Sequence, residues 1–161
     1  MSIEDDIAFL ERVPTLALMG REALRVIAIS VDHFTLARGQ ALFHEGEPAD
    51  CAYVVQQGSL RVAPEDPQLA MRPGQSIRAG EGALIGEMAL LTETRRPATA
   101  TALEPAEVLR IPRNMFLRTL ESYPDAAREL TRRLSERVSA TLADLERVRE
   151  RLEAIEDVRR P

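Results

Sequence analysis

Gly86-Glu87-Met88-Ala89-Leu90-Leu91, followed four residues later by Arg96-Pro97-Ala98-Thr99, is the stretch of this chain whose residue types could do chemistry. Gly86 permits close backbone approach at the start of a helical turn, and the free N–H groups and dipole of such a turn favour an anion. Glu87 supplies a carboxylate that accepts hydrogen bonds from sugar hydroxyls. Arg96, just beyond the turn, supplies a guanidinium able to grip a phosphate through two parallel N–H groups, and Arg95 offers a second cation. An anionic sugar phosphate is the simplest ligand satisfying both a carboxylate acceptor and an arginine donor.

Other chemistries find little support. All 21 basic side chains are Arg, and the absence of Lys excludes a P-loop, a Schiff-base enzyme and a kinase lysine. A single cysteine, Cys51, allows no internal disulfide and no thiolate zinc site, and it reads as a small buried side chain opening a strand. His33 and His44 lack metal-ligand spacing and read as structural. Neither order nor spacing suggests a Ser/His/Asp or paired-carboxylate arrangement, so no catalytic residue, no metal and no enzyme are expected. Gly80-Glu81-Gly82-Ala83-Leu84-Ile85-Gly86 resembles a dinucleotide loop, but one helical turn follows it rather than a βαβ unit. Arg132-Arg133-Leu134-Ser135 fits a basophilic kinase pattern that arises often by chance; Ser135 reads as a surface residue.

The formal charge of −5, the aromatic fraction of 4% and the absence of Trp argue against DNA, single-stranded nucleic acid or an anionic membrane as partner. No apolar run approaches a membrane span, and the acidic Met1–Asp6 start lacks the cationic region of a signal peptide. A soluble cytoplasmic protein is expected.

The elements that must position these residues follow from periodicity. A length of 161 residues with 45% hydrophobic content predicts one domain with a real core. Residues 3–30 read as two helices broken at Pro14: Ser2 caps the first, whose face carries Ile3, Ile7 and Leu10, and Leu16, Met19, Ala23, Leu24, Ile27 and Ala28 form the stripe of the second. From residue 33 to 112 the apolar runs are short and turn signals recur, predicting strands at Phe34–Leu36, Ala41–His44, Ala52–Gln56, Leu60–Ala63, Gln68–Met71, Leu84–Ile85, Ala98–Ala102 and Glu107–Ile111. Many short strands suggest a small antiparallel barrel or jelly roll, with Gly86–Leu91 a helical turn inserted into it. Residues 112–122 form a short helix, and Pro124-Asp125 restarts a helix that reaches toward residue 161. At 1.5 Å per residue this helix would be roughly 54 Å long, too long to stay on one small domain. Leu134, Val138, Thr141, Leu145, Val148, Leu152 and Ile155 make a heptad seam along it, flanked by balanced charge, which predicts self-association as a coiled coil.

The turn and its arginine resemble the phosphate-binding cassette of the cyclic nucleotide-binding domain family, approximately F-G-E-[LM]-A-L-[LI]-x4-R-[AST]-A-[TS]. Gly39-Gln40 with Leu42, Glu45-Gly46-Glu47, Tyr53-Val54-Val55 and Gly58-Ser59-Leu60-Arg61-Val62 resemble the family's first hairpins. The resemblance covers most of the chain. It implies a mainly β fold with flanking helices (α+β): an eight-stranded jelly-roll barrel carrying the cassette, two N-terminal helices, and a short helix plus a long C-terminal helix. Residues 1–123 would form the nucleotide-binding unit, and residues 124–161 a lid and coiled coil.

The resemblance also implies roles. Glu87 would take the ribose 2′-hydroxyl and Arg96 the cyclic phosphate. Backbone near Gly86, Met88 and Ala89 would complete the cradle with Pro97 and Ala98, and Met88 would pack under the base. Arg128, Arg132 or Arg133 could stack on the base, although a solvated ion pair suits each of them better. Pro97 departs from the family's Ala, Ser or Thr, whose N–H donates to the phosphate. Its missing donor would cost about 1.5–3 kcal/mol, or roughly ten- to a hundred-fold in affinity. A threonine there accompanies cyclic GMP preference, so cyclic AMP is the favoured ligand. The expected function is a stand-alone cyclic nucleotide sensor, dimeric through its C-terminal helix and acting on an unknown protein effector. The family's transcription factors append a helix-turn-helix after the long helix; this chain stops at Pro161, and DNA reading is not expected. The competing reading is a ligand-free interaction module working through the coiled coil.

Overall fold

The computed structural model describes residues 2–133, together with 136 and 150. All seven residues of the heptad seam, and with them the expected coiled coil, lie outside the described residues.

Three helices precede the sheets: α1 (Ile3–Leu10), α2 (Pro14–Ala17) and α3 (Arg21–Ser30). Ser2 and Asp5 form a reciprocal capping box on α1, and the hydrogen bonds from Ser2 hold the Asp5 carboxyl below its usual range. The sequence expectation was two helices. Pro14 at the first position of α2, and Gly20 at φ 85° before α3, cut the second into two pieces. The expected stripe is intact, with Leu16, Met19, Ala23, Leu24, Ile27 and Ala28 all buried, and Ile7 and Leu10 buried beside them; Ile3 is exposed.

Ten short strands follow among the described residues: β1 (Asp32–Leu36), β2 (Ala41–Phe43), β3 (Pro48–Ala49), β4 (Cys51–Gln57), β5 (Leu60–Ala63), β6 (Ile77–Ala79), β7 (Leu84–Ile85), β8 (Thr94–Arg95), β9 (Thr99–Ala102) and β10 (Ala106–Pro112). All pairings are antiparallel. They make two four-stranded sheets, β1-β10-β4-β7 and β2-β9-β5-β6, and a two-stranded ribbon, β3-β8. This corrects the expected eight-stranded barrel: the sheets do not close, and the ribbon strands, two residues each, are too short for periodicity to reveal. Gln68–Met71, expected as a strand, lies mostly in α4 (Pro67–Ala70). The Asp66 side chain accepts the Gln68 N–H at 2.9 Å, and Pro67 takes the first helical position, a start signal stronger than the short apolar alternation. On the side of β5 away from β9 lies β6, with Val62 opposite Ile77.

Strand period places the two cores. Along β4, Ala52 and Val54 face the N-terminal helices, whereas Val55, and beside it Tyr53, belong to the space between the sheets. Along β10, Leu109 and Ile111 join the helical core with Leu24, Ile27 and Phe116, and Ala106 and Val108 face inward. Gly58 closes the β4–β5 hairpin where a side-chain carbon would fall 2.5 Å from the Pro105 carbonyl oxygen, so only glycine fits. A single 3-10 turn (Glu87–Leu90) interrupts the strands between β7 and β8. After β10, α5 (Arg113–Ser122) leads to a further helical stretch over residues 124–133.

Candidate anion-binding site

Gly86 occupies the left-handed region, φ 76° and ψ 33°, and turns the chain from β7 into the 3-10 turn. A non-glycine residue there carries a strain of about 1–2 kcal/mol. The Ala89 N–H donates to the Gly86 carbonyl at 3.1 Å and closes the turn. Gly86, Glu87 and Met88 thus hold the end of the turn at which the first amides have no intrahelical acceptor. Ala89 and Leu90 are buried and anchor the turn, while Glu87 is half-buried. Met88 is 57% exposed and lines an apolar groove with Leu16, Leu84, Leu91, Phe116 and Leu130, beside α5 and the following helix.

Arg96 is 5% exposed. Its backbone is pinned on both sides, its N–H donating to Glu47 O and its carbonyl accepting from Gly46 N–H, each at 2.8 Å. The side chain runs inward beneath Gly86, so the missing Cβ of that glycine is the space the guanidinium uses. Nη2 donates to the Cys51 carbonyl at 2.8 Å and to Cys51 Sγ at 3.2 Å. The guanidinium carbon sits 4.3 Å from the centre of the Phe43 ring and 5.6 Å from that of Tyr53, and those rings stack with centroids 6.0 Å apart. Burial, together with a hydrogen bond to Cys51, pushes the Tyr53 phenol up to about 12.

Arg96 Nη1 is buried and has no hydrogen-bond partner among the described residues. The acceptors of Nη2 are a carbonyl and a thiol, neither of them a carboxylate. A buried guanidinium satisfied only in part costs several kcal/mol unless an anion completes it. Donor set, charge and position therefore fit a small anion seated against Nη1 at the start of the turn.

Pro97 is exposed and Ala98 half-buried at the bend leading from Arg96 into β9. Pro97 offers no N–H to this site. Thr99, which follows, ties two loops together: its Oγ1 donates to Glu65 Oε1 and accepts the Glu45 N–H, both at 2.9 Å. Arg95 donates to the Gly46 carbonyl at 2.9 Å and lines an outer cleft with Asp50, Glu93 and Arg113. Arg128 pairs with Asp125, and Arg132 with Glu129 and Glu136, as surface ion pairs along their own helix.

Sequence reasoning singled out Gly86 and Arg96, which meet, but missed what surrounds them. Phe43, Cys51 and Tyr53 come from two other strands, and only the alternation of β4 hinted that Cys51 and Tyr53 share a side. Arg113 was missed as well. Its Nη1 donates to the carbonyls of Ala49 (3.1 Å), Ala89 (3.3 Å) and Thr92 (2.9 Å), clamping the back of the turn to the start of α5. No cluster of three or more His, Cys, Asp or Glu able to hold a metal occurs among the described residues. No helix among them is long and apolar enough to cross a membrane.

Residues 33–123 match the family model of the cyclic nucleotide-binding domain. A solved cyclic nucleotide-binding-like protein from Brucella abortus is 37% identical, with a TM-score of 0.62 over 73% of this chain and 98% of that one. The N-terminal domain of a transcriptional regulator from Streptomyces coelicolor is 32% identical, with a TM-score of 0.75 over 85% of this chain and 94% of that one. Lysophospholipase NTE1 of Chaetomium globosum is 30% identical over 120 residues, which are 73% of this chain and 8% of that protein. The chain thus spans less than a tenth of the length of the curated relatives it matches.

Proposed function

The chain belongs to the cyclic nucleotide-binding domain family, and from that premise we propose that it is a non-catalytic sensor taking a cyclic nucleotide, cyclic AMP in preference to cyclic GMP. The buried Nη1 of Arg96, without a hydrogen-bond partner among the described residues, carries this reading: it is a positive group at the start of a helical turn, where an anion fits. In this reading Arg96 pairs with the cyclic phosphate and Glu87 takes the ribose hydroxyl. The backbone of Gly86, Met88 and Ala89 forms the cradle, and Pro97 and Ala98 shape its far wall. Met88 lines, together with Glu87, the groove beside the C-terminal helices, so it packs against the ligand on the side those helices cover.

Arg113 supports coupling between ligand and helices. It joins the carbonyls of Ala89 and Thr92, behind the cradle, to the first residue of α5. A ligand that shifts the turn changes the seat of α5 and of the segment from residue 124 onward, which acts as lid and dimer contact on an unidentified protein effector.

Calorimetric titration of cyclic AMP, then cyclic GMP, into protein checked by absorbance and mass for co-purified nucleotide tests the reading. Saturable binding at micromolar or tighter affinity, lost on Arg96→Ala, is expected. Silence from a nucleotide-free preparation overturns it. Pro97 and the heptad seam favour a second reading, a ligand-free module that pairs through its C-terminal helix. Under that reading Arg96→Ala changes nothing, whereas polar replacement of Leu145 and Leu152 abolishes association in sedimentation.

A further inference from the structure

We propose that Cys51 is an oxidant-sensitive thiol inside the anion site, and that its reversible oxidation to a sulfenic acid switches the site off by giving Arg96 an internal oxygen partner. The inference rests on the nucleotide-binding reading of Arg96 and adds a mode of regulation to it.

Cys51 is the single cysteine of the chain and opens β4. Its Sγ lies 3.2 Å from Arg96 Nη2, and Nη1 of the same guanidinium is buried without a partner among the described residues. The sulfur therefore sits against the guanidinium meant for the ligand's phosphate, a group that carries a further N–H donor with no partner among the described residues. Oxygen added to this sulfur is placed where a guanidinium N–H donates to it.

Access follows from the site's own requirement. Cys51 is 2% exposed, but Arg96 is only 5% exposed. Any opening that lets a cyclic phosphate reach Nη1 lets a peroxide, a much smaller molecule, reach the sulfur bonded to Nη2.

In the reaction, Cys51 sulfur attacks one oxygen of hydrogen peroxide. An S–O bond forms and the O–O bond breaks; the departing hydroxide and the thiol proton leave as water. Sulfur is oxidised by two electrons and the peroxide is reduced. The new oxygen accepts from the Arg96 guanidinium and competes with the phosphate. Two equivalents of a thiol reductant return Cys51 to the thiol, releasing water and the reductant's disulfide.

The test uses the full chain, reduced and nucleotide-free. Cyclic AMP affinity is measured by calorimetry before peroxide, after peroxide and after dithiothreitol, and peptide mass locates the oxygen. One oxygen on Cys51, at least a tenfold loss of affinity and recovery with dithiothreitol are expected. Saturating cyclic AMP should slow the oxidation. Cys51→Ala sets its own baseline affinity, which peroxide must leave unmoved; this separates the sulfur from the five methionines, whose sulfoxides dithiothreitol does not reverse. If that variant fails to fold, reversal and nucleotide protection in the natural chain decide the matter.

Two results overturn the inference alone: Cys51 untouched under peroxide that oxidises exposed Met71, or Cys51 oxidised with affinity unchanged. A reduced chain that takes no cyclic nucleotide overturns the sensor reading, and this inference with it, before any peroxide is added.

Discussion

Gly86 and Arg96 occupy one space: at φ 76° a side-chain carbon on Gly86 would run into Nη1 of Arg96. The glycine is required twice, once for its left-handed backbone and once because the guanidinium lies where a methyl group would be. Gly86→Ala is expected to cost about 1–2 kcal/mol from backbone strain alone. It should also displace Arg96 and weaken cyclic AMP binding by more than tenfold. Urea unfolding and calorimetry measure the two effects; a variant with native affinity would show that Arg96 does not need this seat.

Arg96→Met separates binding from stability. The substitution removes the unpartnered Nη1, which favours the folded state, and takes the Nη2 donor from the Cys51 carbonyl, which opposes it. The two effects offset, so stability should move by less than about 2 kcal/mol while cyclic AMP binding disappears. A much larger loss of stability with binding retained would make Arg96 a structural residue.

Pro97→Ala restores an N–H to the bend after Arg96. If the phosphate sits at the start of the turn, affinity should rise by up to about ten- to a hundred-fold. The chain should lose up to about 1 kcal/mol, because its unfolded state regains freedom. Unchanged affinity would place the phosphate away from residue 97.

Glu65 gives stability a pH dependence on the acid side. Hydrogen bonds from Thr99 and from His44 hold its carboxyl below the ordinary glutamate range. The unfolded chain therefore binds this proton at a higher pH than the folded chain does. The contribution is complete above the ordinary glutamate range and is lost as pH falls from there through the lowered folded value. Thr99→Val removes the first of the two causes, so its unfolding free energy should fall less steeply with acid than that of the natural chain. Parallel curves for the two proteins would exclude Glu65 as a contributor.

Much of this was legible in the chain because it is local. The stripe from Leu16 to Ala28, the Ser2 cap, the turn after Gly86 and most strand positions depend on neighbours a few residues apart, which period and capping chemistry record directly. The misreadings were also local in origin. Gln68–Met71 alternates like a strand, but Asp66 and Pro67 start a helix there. The β3 and β8 strands, two residues each, carry no period at all. The motif around Gly86 and Arg96 was visible because its parts lie within one short stretch.

The chain alone therefore determined the helical stripes, most of the strands and the pairing of a glycine-led turn with an arginine. Tertiary structure decided how that arginine is held. The Cys51 carbonyl and sulfur lie 45 residues away along the chain and reach Arg96 only because β4 turns that edge toward the space between the sheets. Phe43 and Tyr53 reach it from two separate strands. Whether Arg96 Nη1 finds a partner depends on every group packed around it, a sum over distant segments that no local spacing encodes.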